Sequence, residues 1–270
     1  MTPICHWPAG LLASFDAEST QRTTMIIGIF SDVHSNLEAL TTVVKAYEED
    51  EREVDMYVCL GDVVGYCANP NECAEIVRDL TEYTILGNHD AAVCGRMDYS
   101  FYYEAARKAL DWHANELREP LHEWLRTLPY SQVWEDVEFC HGSPINREDF
   151  DYVFNLHQAN QLIPHFDELQ HVTFIGHSHL TKSFSLHPEK GAVETTAPFL
   201  EFDPELKYIV TVGSVGQPRD NDNRACFGYY DTEAKTFSYE RREYDIRSAA
   251  RKIFESDLSS DFAKRLFFGI

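Results

Sequence analysis

The chain predicts an α/β fold, and three observations carry that reading. Apolar strand-like runs alternate with helical periodicity from Met25 to Leu86. Metal-ligating residue types stand at the ends of those runs, at Asp32-Val33-His34, Gly61-Asp62, Gly87-Asn88, His141-Gly142 and His177-Ser178-His179. The length of 270 residues, with 44% hydrophobic and 13% aromatic content, supplies one substantial core. A strand, helix, strand, helix, strand rhythm implies a mostly parallel sheet with ligands gathered at its carboxyl edge.

Met25 to Phe30 reads as a buried strand. Asn36 to Glu53 follows as a helix, because Leu37, Leu40, Val43, Val44 and Tyr47 recur at helical spacing. Val54 to Leu60 is the next strand, Asn71 to Leu80 a helix announced by Asn69-Pro70, and Tyr83 to Leu86 a short third strand. Tyr99 to Leu128 is helical and is divided by Pro120, whose ring and missing N–H fit poorly inside a helix. Val133 to Cys140 and Val172 to Ile175 are strands, separated by a helical stretch at Asn155 to Leu169. Lys182 to His187, Phe199 to Phe202, Tyr208 to Val212, Ala225 to Tyr230 and Thr236 to Arg242 form a strand series suited to a second sheet. Ile246 to Phe268 closes the chain as one or two helices.

The expected organisation is a leader over 1–24, a catalytic domain over 25–245 with a helical cap at 95–130, and a C-terminal helical segment over 246–270. The apolar patch from Trp7 to Phe15 has no basic segment before it and acidic residues after it, so it reads as a leader and not as a secretion signal. No run approaches the roughly 18 apolar residues of a membrane span.

Forty-five acidic residues against 23 Lys plus Arg give a net charge of -22. That charge repels long nucleic acids and anionic membranes. A small anion can still bind, since metal ions reverse the local potential inside an acidic surface. The seven cysteines are odd in number and form no C-x-x-C pair, which favours a reducing compartment, the cytoplasm. Cys59 and Cys140 lie in apolar strand runs, where small buried thiols are common.

Taken singly, each of the polar residues at the segment ends could be a cap, a turn former or a satisfied buried histidine. Seven of them together, Asp32, His34, Asp62, Asn88, His141, His177 and His179, are hard to ascribe to unrelated turns. Asp62 is the best candidate for a shared ligand, because a carboxylate has two oxygens and can bridge two metals. Two metals about 3.5 to 4 Å apart activate water for in-line attack on phosphorus and offset charge on the nonbridging oxygens. Mixed nitrogen and oxygen donors suit divalent or mixed-valence Mn, Fe, Zn, Co or Ni better than magnesium.

With these motifs in family order, including Gly61-Asp62-Val63-Val64-Gly65 and Gly87-Asn88-His89-Asp90, the chain resembles the calcineurin-like metallophosphoesterases from about Met25 to Phe237. The resemblance implies a four-layer αββα sandwich of two mixed sheets flanked by helices. It implies one metal on Asp32, His34, Asp62 and His179, and a second on Asp62, Asn88, His141 and His177. It makes His89 the catalytic histidine, which donates a proton to the leaving oxygen or stabilises the pentacoordinate state. Asp90 either orients His89 or holds the adjacent turn.

Outside that set, Gly213 to Asp220 follows a strand and resembles a segment found in a bacterial and archaeal branch of the family. Arg219 there is a candidate clamp for a distal phosphate, restrained by Asp220, with a surface ion pair as the plain alternative. Asn36 is a helix cap or a substrate contact. Tyr99, Phe101, Tyr102 and Tyr103 are either core or a stacking surface for a nucleobase, with Tyr103 the chosen substrate contact and Arg96, Arg107 and Lys108 adding positive charge. The expected function is metal-dependent hydrolysis of phosphate esters in a small molecule, a nucleotide or dinucleoside polyphosphate being favoured. The alternatives are a phosphoprotein phosphatase and a nonenzymatic protein-binding scaffold.

Overall fold

The computed structural model describes residues 24–270. The leader expectation therefore lies outside the described residues apart from Thr24. Strand β1 (Ile26–Phe30) pairs in parallel with β2 (Met56–Cys59) across helix α1 (Leu37–Glu49). Helix α1 starts where Asn36 accepts a hydrogen bond from the Ala39 amide at 3.2 Å, a side-chain N-cap. Helix α2 (Pro70–Leu80) begins on proline, which is preorganised for a first helical position.

The third strand expected at Tyr83 to Leu86 is reduced to a single parallel bridge between Cys59 and Thr84. The Leu86 amide turns away to the Pro129 carbonyl, and Asn88 opens a short helix α3 (Asn88–Val93) absent from the sequence reading. The long helical region divides into α4 (Glu104–Glu116) and α5 (Glu119–Thr127). The break precedes Pro120, which occupies the first turn of α5, where no N–H is required.

The run read as one strand from Val133 to Cys140 is a hairpin of β3 (Ser131–Trp134) and β4 (Val137–Cys140), reversed at Glu135 with φ 52°. Helix α6 (Leu156–Gln161) gives way to a 3-10 turn at Ile163–Glu168, where Pro164 removes a donor. Strand β5 (Val172–Ile175) lies parallel to β4. The later strands, expected to form one second sheet, are shared between two. Strands β6 (Thr181–His187), β7 (Gly191–Thr195) and β9 (Lys207–Val212) extend the sheet of β3 to β5, in the order β3-β4-β5-β9-β6-β7. Strands β8 (Phe199–Glu201), β10 (Ala225–Asp231) and β11 (Thr236–Arg242) complete the other, in the order β2-β1-β10-β11-β8. Strand β7 is partly exposed and carries no apolar alternation, so periodicity does not reveal it.

Both sheets are mixed. Their inner faces meet in one core of Ile27, Ile29, Val58, Leu60, Phe139, Phe174, Val210, Tyr230 and Phe237. The alternate side chains of the same strands face outward. Phe30, Cys59 and Phe227 meet α1 and α2, while Ile175 and Ile209 pack with Phe184 and Leu186 against Ala159 and Leu162 beyond. This is the four-layer arrangement of two mixed sheets between helices. Helices α7 (Ile246–Phe254) and α8 (Ser260–Phe268) form a further small core with Tyr66, Cys67 and Ala109. Cys59 and Cys140 are buried free thiols, and no described helix is long and apolar enough to cross a membrane.

Candidate metal centre

Because β1 runs parallel to β2, and β4 to β5 and β9, the carboxyl ends of these strands lie together at one edge of the sandwich. Asp32 and His34 follow β1, Asp62 follows β2, His141 follows β4, and His177 and His179 follow β5. All are buried. Five of them hold a left-handed backbone, with φ of 54° at Asp32, 48° at His34, 52° at Asp62, 64° at His177 and 59° at His179. Gly176 is needed beside them, since a Cβ there would strike Ser31 Oγ and crowd the Asp32 carboxylate.

Two donor groups result. Asp32, His34, Asp62 and His179 offer atoms within 4.8 Å of one another, and so do Asp62, His141 and His177. Asp62 belongs to both. Its Oδ2 lies 3.6 Å from His34 Nε2 and 3.3 Å from His141 Nε2, while its Oδ1 accepts the His89 amide at 2.8 Å. Asn88 Oδ1 stands 3.1 Å from His141 Nε2, so the amide oxygen joins the second group. The Asn88 amide nitrogen donates to the Tyr102 hydroxyl at 2.8 Å, which aims the oxygen inward.

Three imidazoles are oriented by backbone. Nδ1 of His34 donates to the Val64 carbonyl, that of His141 to Leu60 and that of His179 to Gln217, at 3.1, 2.7 and 2.6 Å. Their Nε2 atoms are thereby left facing the shared space, as metal-binding histidines require. The fourth, His177, is packed flat against Tyr152, with ring centroids 3.7 Å apart. Such a buried set of carboxylates, imidazoles and an amide fits two divalent metal ions. The contact of 3.0 Å between the Nε2 atoms of His34 and His179 joins two nitrogens that serve naturally as donors to one cation.

The electrostatics point the same way. Burial alone would raise the Asp62 carboxyl, but His141, His89 and His34 hold it well below the usual range. Burial pulls His141 down, yet the Asp62 charge prevails and lifts it to about 9. Metal loading must expel that proton. His89 is 4% exposed, and burial lowers it to about 4, so the imidazole is neutral near pH 7. Its Nδ1 has no hydrogen-bond partner among the described residues.

Asp90 does not touch His89 through a hydrogen bond. Its carboxylate accepts from the amides of Val63, Val64 and Gly87 at 3.2, 3.0 and 3.2 Å, tying the Asp62 loop to the Asn88 loop. Burial and the charge of Asp62 raise it to about 7. Asp90→Ala leaves three buried donors unpaired at about 1–3 kcal/mol each. It is expected to lower the denaturant unfolding free energy by at least about 3 kcal/mol. Asp90→Asn keeps one acceptor and removes the buried charge, and should lose less.

The outer expectations fare unevenly. Arg219 reaches the site, its Nη2 donating to Gln217 Oε1 at 3.1 Å, its guanidinium 5.6 Å from the Tyr66 ring centre and its buried Nε without a partner among the described residues. Asp220 does not pair with it: its Oδ2 is bonded to Arg241 and Thr181 Oγ1, and its Oδ1 has no partner among the described residues. Asn36 is fully engaged as scaffold: besides its cap, it donates to the Gly216 carbonyl at 2.8 Å and the Tyr244 hydroxyl at 3.2 Å. Tyr103 is half exposed and caps no amide at the start of α4. The expected positive charge beside it is committed elsewhere, Arg96 to the carbonyls of Arg126 and Leu128, Arg107 to that of Ser100, and Lys108 to Glu104. Tyr66 and Tyr152 border the site with no sequence signal beyond aromatic character.

The family model described as calcineurin-like phosphoesterase matches residues 25–213. An uncharacterised protein of Methanocaldococcus jannaschii is 33% identical over 249 residues, covering 90% of this chain and 98% of the archaeal one. The crystal structure of a metallophosphoesterase from Sphaerobacter thermophilus is similar at 31% identity and a TM-score of 0.78, covering 92% of this chain and 100% of its own. A hypothetical protein of Pyrococcus horikoshii shares the fold at 18% identity and a TM-score of 0.73, covering 91% and 98%.

Proposed function

The chain belongs to the calcineurin-like phosphoesterases and is a metal-dependent phosphoesterase, and from that premise we propose that it hydrolyses a small phosphorylated molecule, a nucleotide or dinucleoside polyphosphate. Asp32, His34, Asp62 and His179 would hold one metal, and Asp62, Asn88, His141 and His177 the other. The observation that carries this reading is the Asp62 Oδ2 atom, which faces both donor groups at 3.6 and 3.3 Å. Bound there, two divalent ions would activate water and neutralise phosphoryl charge.

The remaining work falls to side chains. His89, buried beside Asp62 and lowered to about 4 by that burial, presents a neutral imidazole. The negative charge of an arriving phosphate favours its protonated form and lets it assist the leaving oxygen. Tyr102, bonded to Asn88, ties the 95–130 segment to the rim, where we read it as a cap over a small-molecule site. A scaffold has no need of so complete a buried donor set. The six described cysteines are free and buried, which supports a reducing location.

The test is metal analysis of protein purified without chelator, followed by turnover of p-nitrophenyl phosphate, bis-p-nitrophenyl phosphate, dinucleoside polyphosphates, cyclic nucleotides and phosphopeptides. Preference for a nucleotide supports the proposal. Preference for phosphopeptides overturns it.

Arg219 is proposed to hold a phosphate distal to the metals. Arg219→Ala is expected to lower kcat/KM for a polyphosphorylated nucleotide by the worth of a charge-assisted hydrogen bond, about 1.5–3 kcal/mol. A small aryl phosphate, which ends at the metals, should lose much less. Equal proportional losses at fixed metal and salt would assign Arg219 to structural support.

A further inference from the structure

We infer that Tyr66 is a positioning residue for His89 and that helix α8, through Phe262, holds Tyr66 in that role. The inference rests on the reading of His89 as the group that assists the leaving oxygen. The three backbone-oriented ligand histidines are each fixed by an Nδ1 bond to a carbonyl. His89 has no such bond: its buried Nδ1 has no partner among the described residues. Packing must then set its rotamer, and the rings against it are Tyr66, His34 and, farther off, Tyr102, at 4.5, 4.8 and 6.5 Å between centres.

Tyr66, at φ 58° and 7% exposed, places its ring centre 4.5 Å from that of His89 and 4.6 Å from that of His34. On the near side, Gly65 at φ 108° lets the backbone pass the imidazole, since a Cβ there would strike His89 Nδ1. Behind Tyr66 stands Phe262, with ring centres 4.9 Å apart, itself buried among Ala249, Ile253 and Leu266.

Helix α8 is fastened to the body of the protein at its far end. The Asn221 amide donates to the Gly269 carbonyl at 2.9 Å, and the Asn223 side chain to that of Phe267 at 3.0 Å. These contacts join it to the loop that carries Arg219, whose guanidinium also lies beside the Tyr66 ring. A segment beyond the family match at 25–213 thus reaches His89 through two aromatic rings.

The experiment compares Tyr66→Ala, Tyr66→Phe, Phe262→Ala, Phe262→Leu and His89→Ala, and the double variant Tyr66→Ala with His89→Ala. Metal content and thermal melting are measured for each. Turnover is followed on an aryl ester, p-nitrophenyl phosphate, and on an alkyl phosphate, whose leaving oxygen needs assistance. Tyr66→Ala is expected to keep its metal and to lose about tenfold more on the alkyl than on the aryl ester, a fraction of the range for general acid catalysis. Tyr66→Phe keeps the ring and should retain the wild-type ratio.

The double variant should be no more selective than His89→Ala alone, because both changes remove one function. Phe262→Ala should show the same selectivity more weakly, and Phe262→Leu serves where the alanine variant does not fold. In zinc-loaded protein, the His89 ring resonance should be single in the wild type and broadened or split in Tyr66→Ala. Equal loss on both esters at full metal content, selectivity that multiplies in the double variant, or an unchanged His89 resonance would each overturn the inference. Absence of any ester preference in His89→Ala would overturn the reading of His89 first, and the role of Tyr66 with it.

Discussion

Asp62→Ala is expected to empty both metal positions and to abolish measurable turnover of every phosphate ester tested. One carboxylate oxygen lies within 3.6 Å of His34 Nε2 and 3.3 Å of His141 Nε2, so its removal takes a ligand from each proposed ion at once. Losing a partner that merely orients a ligand commonly reduces metal affinity 10–100-fold, about 1.4 to 2.7 kcal/mol, and a direct shared ligand should exceed that at both positions. The check is metal stoichiometry after dialysis beside kcat/KM at saturating metal. Circular dichroism must accompany it, because the same carboxylate accepts the His89 amide at 2.8 Å and its loss leaves a buried donor unpaired. Retention of two ions by the folded variant would remove Asp62 from the bridging position.

His89→Ala is expected to keep both metals and yet lose on the order of 10²–10⁴ in turnover of an ester with an alkyl or nucleotide leaving group. The imidazole completes neither donor group, but it adjoins the Asp62 loop and packs 4.8 Å from the His34 ring centre. With p-nitrophenolate, which departs without a proton, the loss should shrink markedly. A metal-replete variant that hydrolyses the alkyl ester at the wild-type rate would exclude His89 from the chemistry.

Six ligand candidates were legible because the fold places them at strand ends, where an apolar run stopping at Asp or His is visible in one dimension; Asn88 shows the same run before it, although the structure opens a helix there. The two buried faces of β1 and β2 likewise follow from near-continuous apolar runs. Which strand joins which sheet was not legible. Strands β8, β10 and β11 cross back beside β1 by pairings between residues as distant as Ile26 and Asp231, and no local pattern encodes them. The hairpin at Glu135 is likewise hidden, since its turn lacks the usual glycine or asparagine pair.

Around the site, the same boundary holds. The motif Gly87-Asn88-His89-Asp90 signals chemistry, but the role of Asp90 depends on three amides, two of them from a different loop. The partner of Asp220 proved to be Arg241 and not its neighbour Arg219, a choice made by the strand register of β11. Tyr66 carries information only once Phe262 is seen behind it.

The left-handed backbone at Asp32, His34, Asp62, His177 and His179 also sets this protein's relation to stability engineering. Each such conformation carries a penalty of about 1–2 kcal/mol for an L-residue that glycine largely escapes. Glycine would relieve that strain but delete a metal donor each time, and at Asp32 and Asp62 it would also strand the buried His177 and His89 amides that those carboxylates accept. The strain at these five positions is therefore held in place by the bonds the side chains make, and gains in heat resistance have to be sought elsewhere in the chain, with activity followed alongside.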